Sequence, residues 1–417
     1  MRGTQTSPSR WLKAILTILG ACLLGLASIG GAAAGAEVAL VPAPAAEELS
    51  PPALPGAMAP SWAEAPSGLV LSWLEPLGSG HRLQVARLEG GRFGAASTVA
   101  SGDGFFANWA DFPAVAAAGD GSLYAHWLAR TGSETYAYAI EVARSSDGGR
   151  SWRHLGRLHE DRTATEHGFV SWVPEGGAVR AFWLDGRTTA EGGSMSLRTA
   201  RVGERIEASE ELDARVCDCC QTDAAAVGRG SLVAFRDRSP EELRDIAVVR
   251  QTASGWTAPR PVAEDGWRLP GCPVNGPAIA ARGSAVAVAW FTGARPPGPR
   301  VQLALSTDAG ARFGEPILVD GERPLGRVDV AFEPGGSAIV AWLALAGEQA
   351  ELRLARAAPA GRVGPALAVA RTSASRASGF PRLALQGDRL FLAWVEVGGD
   401  HPASRLRAAS LPLSALP

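Results

Sequence analysis

A repeat of 52–56 residues runs through the chain from about residue 59 onwards and restricts its fold more than any other feature. In each copy an apolar run ends at an aromatic residue or its equivalent. The corresponding positions are Trp73, Trp127, Trp183, Arg236, Trp290, Trp342 and Trp394. Repeats of roughly 40–50 residues with four strands each are typical of β-propellers.

The stretch from Asp111 to Leu158 shows what one repeat contains. Four short apolar runs are separated by turn signals such as Gly119-Asp120-Gly121, a pattern that predicts a four-stranded antiparallel meander. One such sheet cannot bury its faces alone and needs neighbours. The seven copies therefore predict an all-β, seven-bladed β-propeller over residues 59–417.

The N-terminal region has the layout of an export signal. A polar, basic start precedes the apolar stretch Ala14–Ile29 and the small-residue run 30–36, so residues 1–36 are predicted to be a signal peptide. The expected location is secreted or periplasmic. Anchoring is the alternative, either through a lipoprotein-like box at Leu19–Cys22 or through an uncleaved leader.

Residues 37–58 are rich in Ala and Pro and are interpreted as a linker. They could instead supply the strand that closes the ring, for which Val38–Val41 is the candidate.

The charge balance excludes one class of partner. The net charge is −2 and no basic run lies outside the leader, so nucleic-acid binding is not expected. No membrane contact is expected beyond the leader.

A turn with a distinctive pattern occurs in the second repeat. Ser145 to Trp152 reads Ser-Ser-Asp-Gly-Gly-Arg-Ser-Trp, in which Asp147 can accept hydrogen bonds from turn amides and Gly149 can adopt a left-handed conformation. Ser306 to Phe313 is an imperfect second copy. The residues predicted to be structural in the two turns are Ser145, Asp147, Gly149, Trp152, Ser306, Asp308, Gly310 and Phe313.

These turns match the Asp-box, S-x-D-x-G-x-[ST]-W, and the chain resembles the sialidase-like Asp-box (BNR-repeat) propellers of exported bacterial type. The resemblance covers about residues 59–417. It implies a propeller fold, with six blades as the sialidase-type alternative, and a glycan-directed function. In that superfamily the Asp-box lies away from the active site, so the motif informs on fold more than on activity.

The sequence departs from sialidases in the residues of the reaction. The family uses a late-blade Tyr nucleophile with a Glu, an Asp, three Arg and an early Phe/Tyr-Arg-Ile-Pro motif. That motif is missing, and the three tyrosines, Tyr124, Tyr136 and Tyr138, all fall in the second repeat. If the protein is an enzyme, a glycoside hydrolase-like activity other than the usual exo-sialidase mechanism is expected, and the sequence does not mark the catalytic residues.

Polar residues concentrate where loops meet on one side of the predicted ring. The segments that lead into each innermost strand, and those that leave each second strand, share this side, called the upper face below. The candidate residues for binding a glycan or small anionic ligand are Trp109, Asp111, Asp185, Arg187, Arg236, Asp237 and Arg238. The alternative for the charged residues is an ion-pair network that braces neighbouring blades.

The cysteines of repeats four and five are predicted to lie on the same upper face. Cys217, Cys219 and Cys220 precede one innermost strand and Cys272 precedes the next. Three interpretations stay open: two structural disulfides, a thiolate site for Cu(I) or Zn(II) in which His167 could replace one cysteine, or a redox-active pair.

Two function classes follow. The first is a glycan-directed propeller, either a carbohydrate-binding protein or a glycosidase-like enzyme. The second is a non-catalytic propeller that binds a soft metal ion or a partner protein through a Cys-lined upper face.

Overall fold

The computed structural model describes residues 40–42, 46–398 and 401–417, and the predicted leader lies outside this part of the chain. The described residues form β-strands with three short 3-10 helices, Thr189–Glu191, Arg376–Ser378 and Leu413–Ala415. None of the helices found there has the length and apolarity needed to cross a bilayer.

The strands form seven sheets, the blades, in chain order after β1 (Leu40–Pro42) and β2 (Glu47–Leu49). From the axis outwards, blade one contains β3 (Met58–Ala65), β4 (Gly68–Leu77), β5 (Gly80–Glu89), β6 (Arg92–Phe93) and β7 (Ser97–Gly102). Blade two contains β8 (Ala114–Ala117), β9 (Leu123–Arg130), β10 (Tyr138–Ser145) and β11 (Arg153–Arg157). Blade three contains β12 (His167–Glu175), β13 (Ala178–Asp185), β14 (Ser196–Val202) and β15 (Glu210–Asp213).

The remaining blades repeat this order. Blade four contains β16 (Asp223–Val227), β17 (Gly230–Arg236), β18 (Ile246–Thr252), β19 (Gly255–Trp256) and β20 (Arg260–Pro261). Blade five contains β21 (Ala278–Arg282), β22 (Ala285–Thr292), β23 (Arg300–Ser306) and β24 (Ile317–Asp320). Blade six contains β25 (Pro324–Phe332), β26 (Ala338–Ala346), β27 (Gln349–Ala357) and β28 (Ala366–Ser373), and blade seven contains β29 (Arg382–Gln386), β30 (Arg389–Gly398) and β31 (His401–Pro412).

The innermost strands contact one another in a closed cycle. β3 contacts β8, and the contacts continue through β12, β16, β21, β25 and β29, which returns to β3. A closed cycle of radially arranged sheets is a β-propeller. The prediction of seven blades is confirmed, and the six-bladed alternative is not adopted.

The core is divided among the blade interfaces. Each pair of neighbouring blades has its own cluster of buried apolar side chains, such as that between blades two and three around Tyr124 and Trp183. Most tryptophans of the repeat lie in these clusters, and Trp73, Trp183, Trp290 and Trp342 are fully buried. The repeat is therefore the pattern of the interfaces, because it marks the side chain that each second strand places between two sheets.

Blade four has Arg236 where the other blades have tryptophan. Its buried guanidinium donates to the carbonyl oxygens of Arg244, Asn275 and Phe291 and lies 4.8 Å from the centre of the Trp267 ring. A planar cation with several donors can replace an indole at this position only because the backbone supplies these acceptors.

The N-terminal segment completes the ring. Blade seven has three strands of its own, and β2 pairs antiparallel with β31 as the fourth. The closing strand is thus Glu47–Leu49 and not the segment at Val38–Val41. Of that segment the structure describes only residues 40 and 41, which belong to β1, a parallel addition to β28 of blade six.

The two Asp-box turns lie on the face opposite the upper face, because they join third to fourth strands. Asp147 accepts hydrogen bonds from the backbone N–H groups of Arg150 and Ser151, and Gly149 has φ +89°. Asp308 and Gly310 repeat this arrangement in blade five. Trp152 and Phe313 then pack against the adjacent blade interfaces.

Leu49→Ala tests the closing strand. Leu49 is buried between blades seven and one, so we expect the free energy of unfolding to fall by about 2–4 kcal/mol in chemical denaturation. Glu48→Ala is the control, because its ion pair with Arg407 is exposed and is expected to contribute at most about 1 kcal/mol. Equal losses in the two variants would contradict a role of β2 in holding the ring closed.

Candidate functional site

Loops that lead into the innermost strands close the upper face at the axis. The Gln221 side chain donates to the Ala110 carbonyl oxygen at 2.7 Å and accepts from the Gly276 N–H at 3.0 Å. One amide therefore joins blades two, four and five. An apolar cluster of Ala59, Ala110, Phe112 and Phe380 fills the same end of the axis.

Trp109, a predicted ligand-stacking residue, is part of this closure. Its ring stacks on Phe380 at 6.0 Å, and the guanidinium groups of Arg327 and Arg376 lie 5.0 and 5.7 Å from its centre. Protein groups therefore already occupy its faces, and the geometry is that of a structural contact between blades two, six and seven.

A cavity of about 380 Å³ runs along the axis beneath this closure. Its lining is buried near the upper face, at Asp111 and Gln221, and exposed at Glu64 and Pro174. The cavity therefore opens towards the lower face, on the side of the Asp-box turns.

Three aspartates of the cavity wall link neighbouring blades in the same way. Asp111 accepts from the Phe169 N–H at 2.7 Å, which joins blades two and three. Asp223 accepts from the Ile279 N–H at 2.8 Å, joining blades four and five, and Asp329 accepts from the Leu383 N–H at 2.7 Å, joining blades six and seven. Burial raises the pKa of Asp223 to about 7 and also raises that of Asp329.

The charged residues predicted to bind a ligand are brought to the upper face but are paired with one another. Asp185 is fully buried and receives the Trp183 indole N–H and a bidentate contact from Arg187. Burial would raise the pKa of Asp185, but these contacts outweigh it and lower the pKa to about 2. The geometry is that of the ion-pair alternative.

The predicted ligand-binding residues Asp237 and Arg238 of blade four are also paired within the protein. The Arg238 guanidinium contacts Asp218 at 3.0 Å and Glu242 at 2.8 Å, and the Arg238 backbone N–H donates to the Asp237 carboxylate. Burial raises the pKa of Asp237. With Arg236 committed to three carbonyl oxygens, none of these arginines presents a free guanidinium to an anion.

His167 lies apart from the cysteines and groups with His159 and Asp161. The two imidazole rings are stacked at 3.9 Å with an interplanar angle of 2°. Nitrogen lone pairs lie in the ring planes, so parallel stacked rings cannot both point at one metal ion. Burial, with the neighbouring His167, lowers the pKa of His159 to about 3. The interpretation of His167 as a replacement for a cysteine ligand is therefore wrong.

The four cysteines meet at the upper face, as predicted, but form one disulfide. Cys219 and Cys272 are bonded and connect blades four and five, while Cys217 and Cys220 are reduced and buried. The disulfide interpretation is confirmed for Cys219 and Cys272, but Cys217 and Cys220 do not form the second bond that it expected. The four-thiolate metal site is corrected, because the disulfide leaves only two of the four cysteines as free thiols.

A network that the sequence analysis did not assign lies between blades two and three. The Tyr138 hydroxyl is 2.7 Å from Asp111 Oδ2 and 2.7 Å from Glu166 Oε1. A hydroxyl has one proton to donate, so both contacts are hydrogen bonds only when one of the two carboxyl groups is itself protonated. Tyr138 and Asp111 are buried, whereas Glu166 is partly exposed on the upper face.

The surroundings of the network favour this shared proton. Burial raises the pKa of Asp111 to about 7. Burial also raises the pKa of Glu166 to about 8, and the nearby charges of Asp111, Asp218 and Cys217 add to this effect against the Tyr138 hydrogen bond. Glu166 is thus a solvent-reachable carboxyl group that keeps its proton near neutral pH.

The comparisons with known proteins concern the fold. No family model and no curated protein matches the sequence. Among solved structures, a protein of unknown function from Dyadobacter fermentans has a TM-score of 0.52 at 12% identity, covering 88% of this chain and 98% of that one. The polysaccharide lyase Uly1 has a TM-score of 0.51 at 9% identity, covering 84% and 91%.

The Penicillium chrysogenum α-L-arabinanase, solved with arabinobiose, has a TM-score of 0.50 at 13% identity, covering 89% of this chain and all of that one. The likeness is one of fold. It agrees with the propeller that the sialidase-like resemblance implied.

Asp111→Asn tests the proton held in the network. The folded state keeps this proton to about pH 7, whereas an unfolded aspartate loses it near pH 4. Folding then binds a proton between these values, so Asp111 makes stability fall as pH rises, by up to about 4 kcal/mol.

We expect urea denaturation from pH 4 to 8 to show a shallower decline for Asp111→Asn than for the wild type. Asp103→Asn, which removes an exposed carboxylate, is the control and should follow the wild type. Parallel curves for Asp111→Asn and the wild type would mean that Asp111 is not held protonated.

Cys219→Ser/Cys272→Ser tests the bond between blades four and five. The two residues are 53 positions apart, and removing a cross-link over such a loop is expected to lower the free energy of unfolding by about 2–4 kcal/mol. The loss should vanish when wild type and variant are compared in reductant. A variant as stable as the wild type without reductant would show that the bond does not support the fold.

Proposed function

We propose that the protein is a glycan-directed propeller that binds a saccharide on its upper face through Glu166. The observation that carries the proposal is the Asp111–Tyr138–Glu166 network, which ends in one partly exposed carboxyl group and two buried partners. Two structural neighbours have the names of glycan-active enzymes. Their identities of 9% and 13% bear on fold alone, so the site supports the function.

A protonated carboxyl group suits a sugar ligand. It can donate one hydrogen bond and accept another, as hydroxyl and ring oxygens of saccharides require. Tyr138 contacts Glu166 directly and is itself held by Asp111, which orients the Glu166 carboxyl group. An oriented donor loses less conformational freedom on binding.

The same group defines the chemistry that the site can supply. A carboxyl group with a pKa of about 8 is a general acid at neutral pH, and it could protonate a glycosidic oxygen. The oxygens of Asp111 and Glu166 are at most 5.4 Å apart, since each is 2.7 Å from the same hydroxyl. Because Asp111 and Tyr138 are buried, neither is placed to attack a sugar, and binding is the function supported best.

An extracytoplasmic location belongs to the proposal. The predicted signal peptide supports it, and the Cys219–Cys272 disulfide is of a kind that forms in oxidising compartments.

Glu166→Ala tests the function. A panel of neutral, uronic-acid-containing and sialic-acid-containing oligosaccharides is first screened on an array, and binders are measured by calorimetry. We expect affinity to fall at least about fivefold in Glu166→Ala, since it removes two neutral hydrogen bonds that contribute about 0.5–1.5 kcal/mol each. Glu166→Gln, which keeps one donor and one acceptor, should retain more of the affinity. Tyr138→Phe should weaken binding in the same direction, and wild-type affinity should decrease above about pH 8.

Glu204→Ala is the matched control, because Glu204 is exposed and forms ion pairs with Arg144 and Arg153 outside the network. A panel without binders, or a Glu166→Ala variant that binds as well as the wild type, would overturn the proposal. Hydrolysis of an aryl sialoside at an enzymatic rate would contradict the expectation that the usual exo-sialidase mechanism is missing.

A further inference from the structure

Two reduced cysteines form a pair beside the disulfide. Cys217 and Cys220 lie in the loop between β15 and β16, and each is 1% exposed. Their sulfur atoms and that of Cys219 all lie within 4.8 Å of one another. Since Cys219 is bonded to Cys272, two sulfurs of this group are free to act as ligands.

Two contacts hold the loop that carries the pair. The Cys217 N–H donates to the Arg236 carbonyl oxygen at 3.0 Å, so Cys217 is attached to blade four. The disulfide attaches Cys219 to blade five. The Cys-x-x-Cys spacing of Cys217 and Cys220 is therefore presented by a preorganised backbone.

Two buried arginines lie beside the pair. The guanidinium groups of Arg236 and Arg244 both act on Cys217. Arg236 donates to three carbonyl oxygens and Arg244 forms an ion pair with Glu242 at 2.6 Å, but Nε and Nη1 of Arg244 are buried without a hydrogen-bond partner among the described residues. Buried N–H groups without a partner call for an acceptor, and a thiolate can be one.

We propose that Cys217 and Cys220 bind one Cu(I) ion between their sulfur atoms. Soft thiolates select Cu(I), an ion that accepts two sulfur ligands in a linear arrangement. The two sulfur atoms lie within 4.8 Å of each other, which is close enough for one soft ion to contact both thiolates.

Charge favours Cu(I) over Zn(II). A Cu(I) ion with two thiolates carries a net charge of −1, and the two buried guanidinium groups of Arg236 and Arg244 act on this position, while Glu242 pairs with only one of them. Structural zinc sites need four ligands, and the disulfide removes two of the four cysteines from the set. Binding releases the thiol protons to solvent, and the copper stays Cu(I), so no electron is transferred.

The test supplies Cu(I) anaerobically, as its bathocuproine disulfonate complex, to the full mature chain. We expect transfer of one Cu(I) per protein, read from the loss of the coloured complex and from elemental analysis. Cys217→Ser and Cys220→Ser should each lose stoichiometric binding. Arg244→Gln should weaken binding about 10–100-fold, as expected for a residue that supports ligands without touching the metal.

Cys219→Ser/Cys272→Ser is the comparison variant, because it removes the same number of sulfurs from the same face but keeps both proposed ligands. Without the disulfide the loop is less well held, so we expect weaker binding than in the wild type, but one Cu(I) is still bound, whereas the two ligand variants bind none stoichiometrically. Thiol titration of the unfolded wild type should find two thiols without reductant and four with it. A second disulfide between Cys217 and Cys220, transfer of no copper, or equal loss in the comparison variant would each overturn the proposal.

Discussion

The structure depends on the burial of each blade against its neighbour. A four-stranded sheet has two faces to cover, and here each face is covered by the next sheet in a closed cycle. Apolar clusters at the interfaces provide this burial, with fully buried tryptophans in blades one, three, five and six. Nearer the axis, Asp111, Asp223 and Asp329 add a polar link from one innermost strand to the next.

These polar links make ionisation of the buried carboxyl groups unfavourable, and this effect reaches the upper face. Three carboxyl groups stand in the wall of one narrow cavity, and their burial disfavours ionisation. Asp111 is connected through the Tyr138 hydroxyl to Glu166, which is partly exposed to solvent, so the protonation of one carboxyl group affects that of the other. The proposed binding group is thus a consequence of how blades two and three are joined.

Much of the fold could be predicted from the sequence because its signals are local. The spacing of Trp73 and its equivalents marks the interfaces, and alternating strand direction places Asp111, Glu166 and the cysteines on one face. Even Arg236 was recognised as an equivalent of tryptophan. By contrast β2 is a three-residue strand, Glu-Glu-Leu, that has no pattern to distinguish it from the linker around it.

The site could be predicted only in part, since its contacts join separate blades. Tyr138 and Glu166 are 28 residues apart in the sequence, and the contact between them depends on the rotation between two neighbouring sheets. Tyrosine is rare in this sequence, which draws attention to Tyr138, but its position in the second repeat does not match that of the late-blade nucleophile of sialidases. Likewise, no spacing rule tells which cysteine pairs with Cys272, or that Arg187 and Arg238 are already paired with acidic neighbours.

The disulfide and the closing strand divide the ring unequally. The seam between blades seven and one is held by a strand of three residues, whereas blades four and five are joined covalently. Four blades separate these two connections on one side of the ring and three on the other. The seam between blades seven and one can open without breaking a covalent bond, and the disulfide would still connect the cysteine-bearing loops of blades four and five if it did.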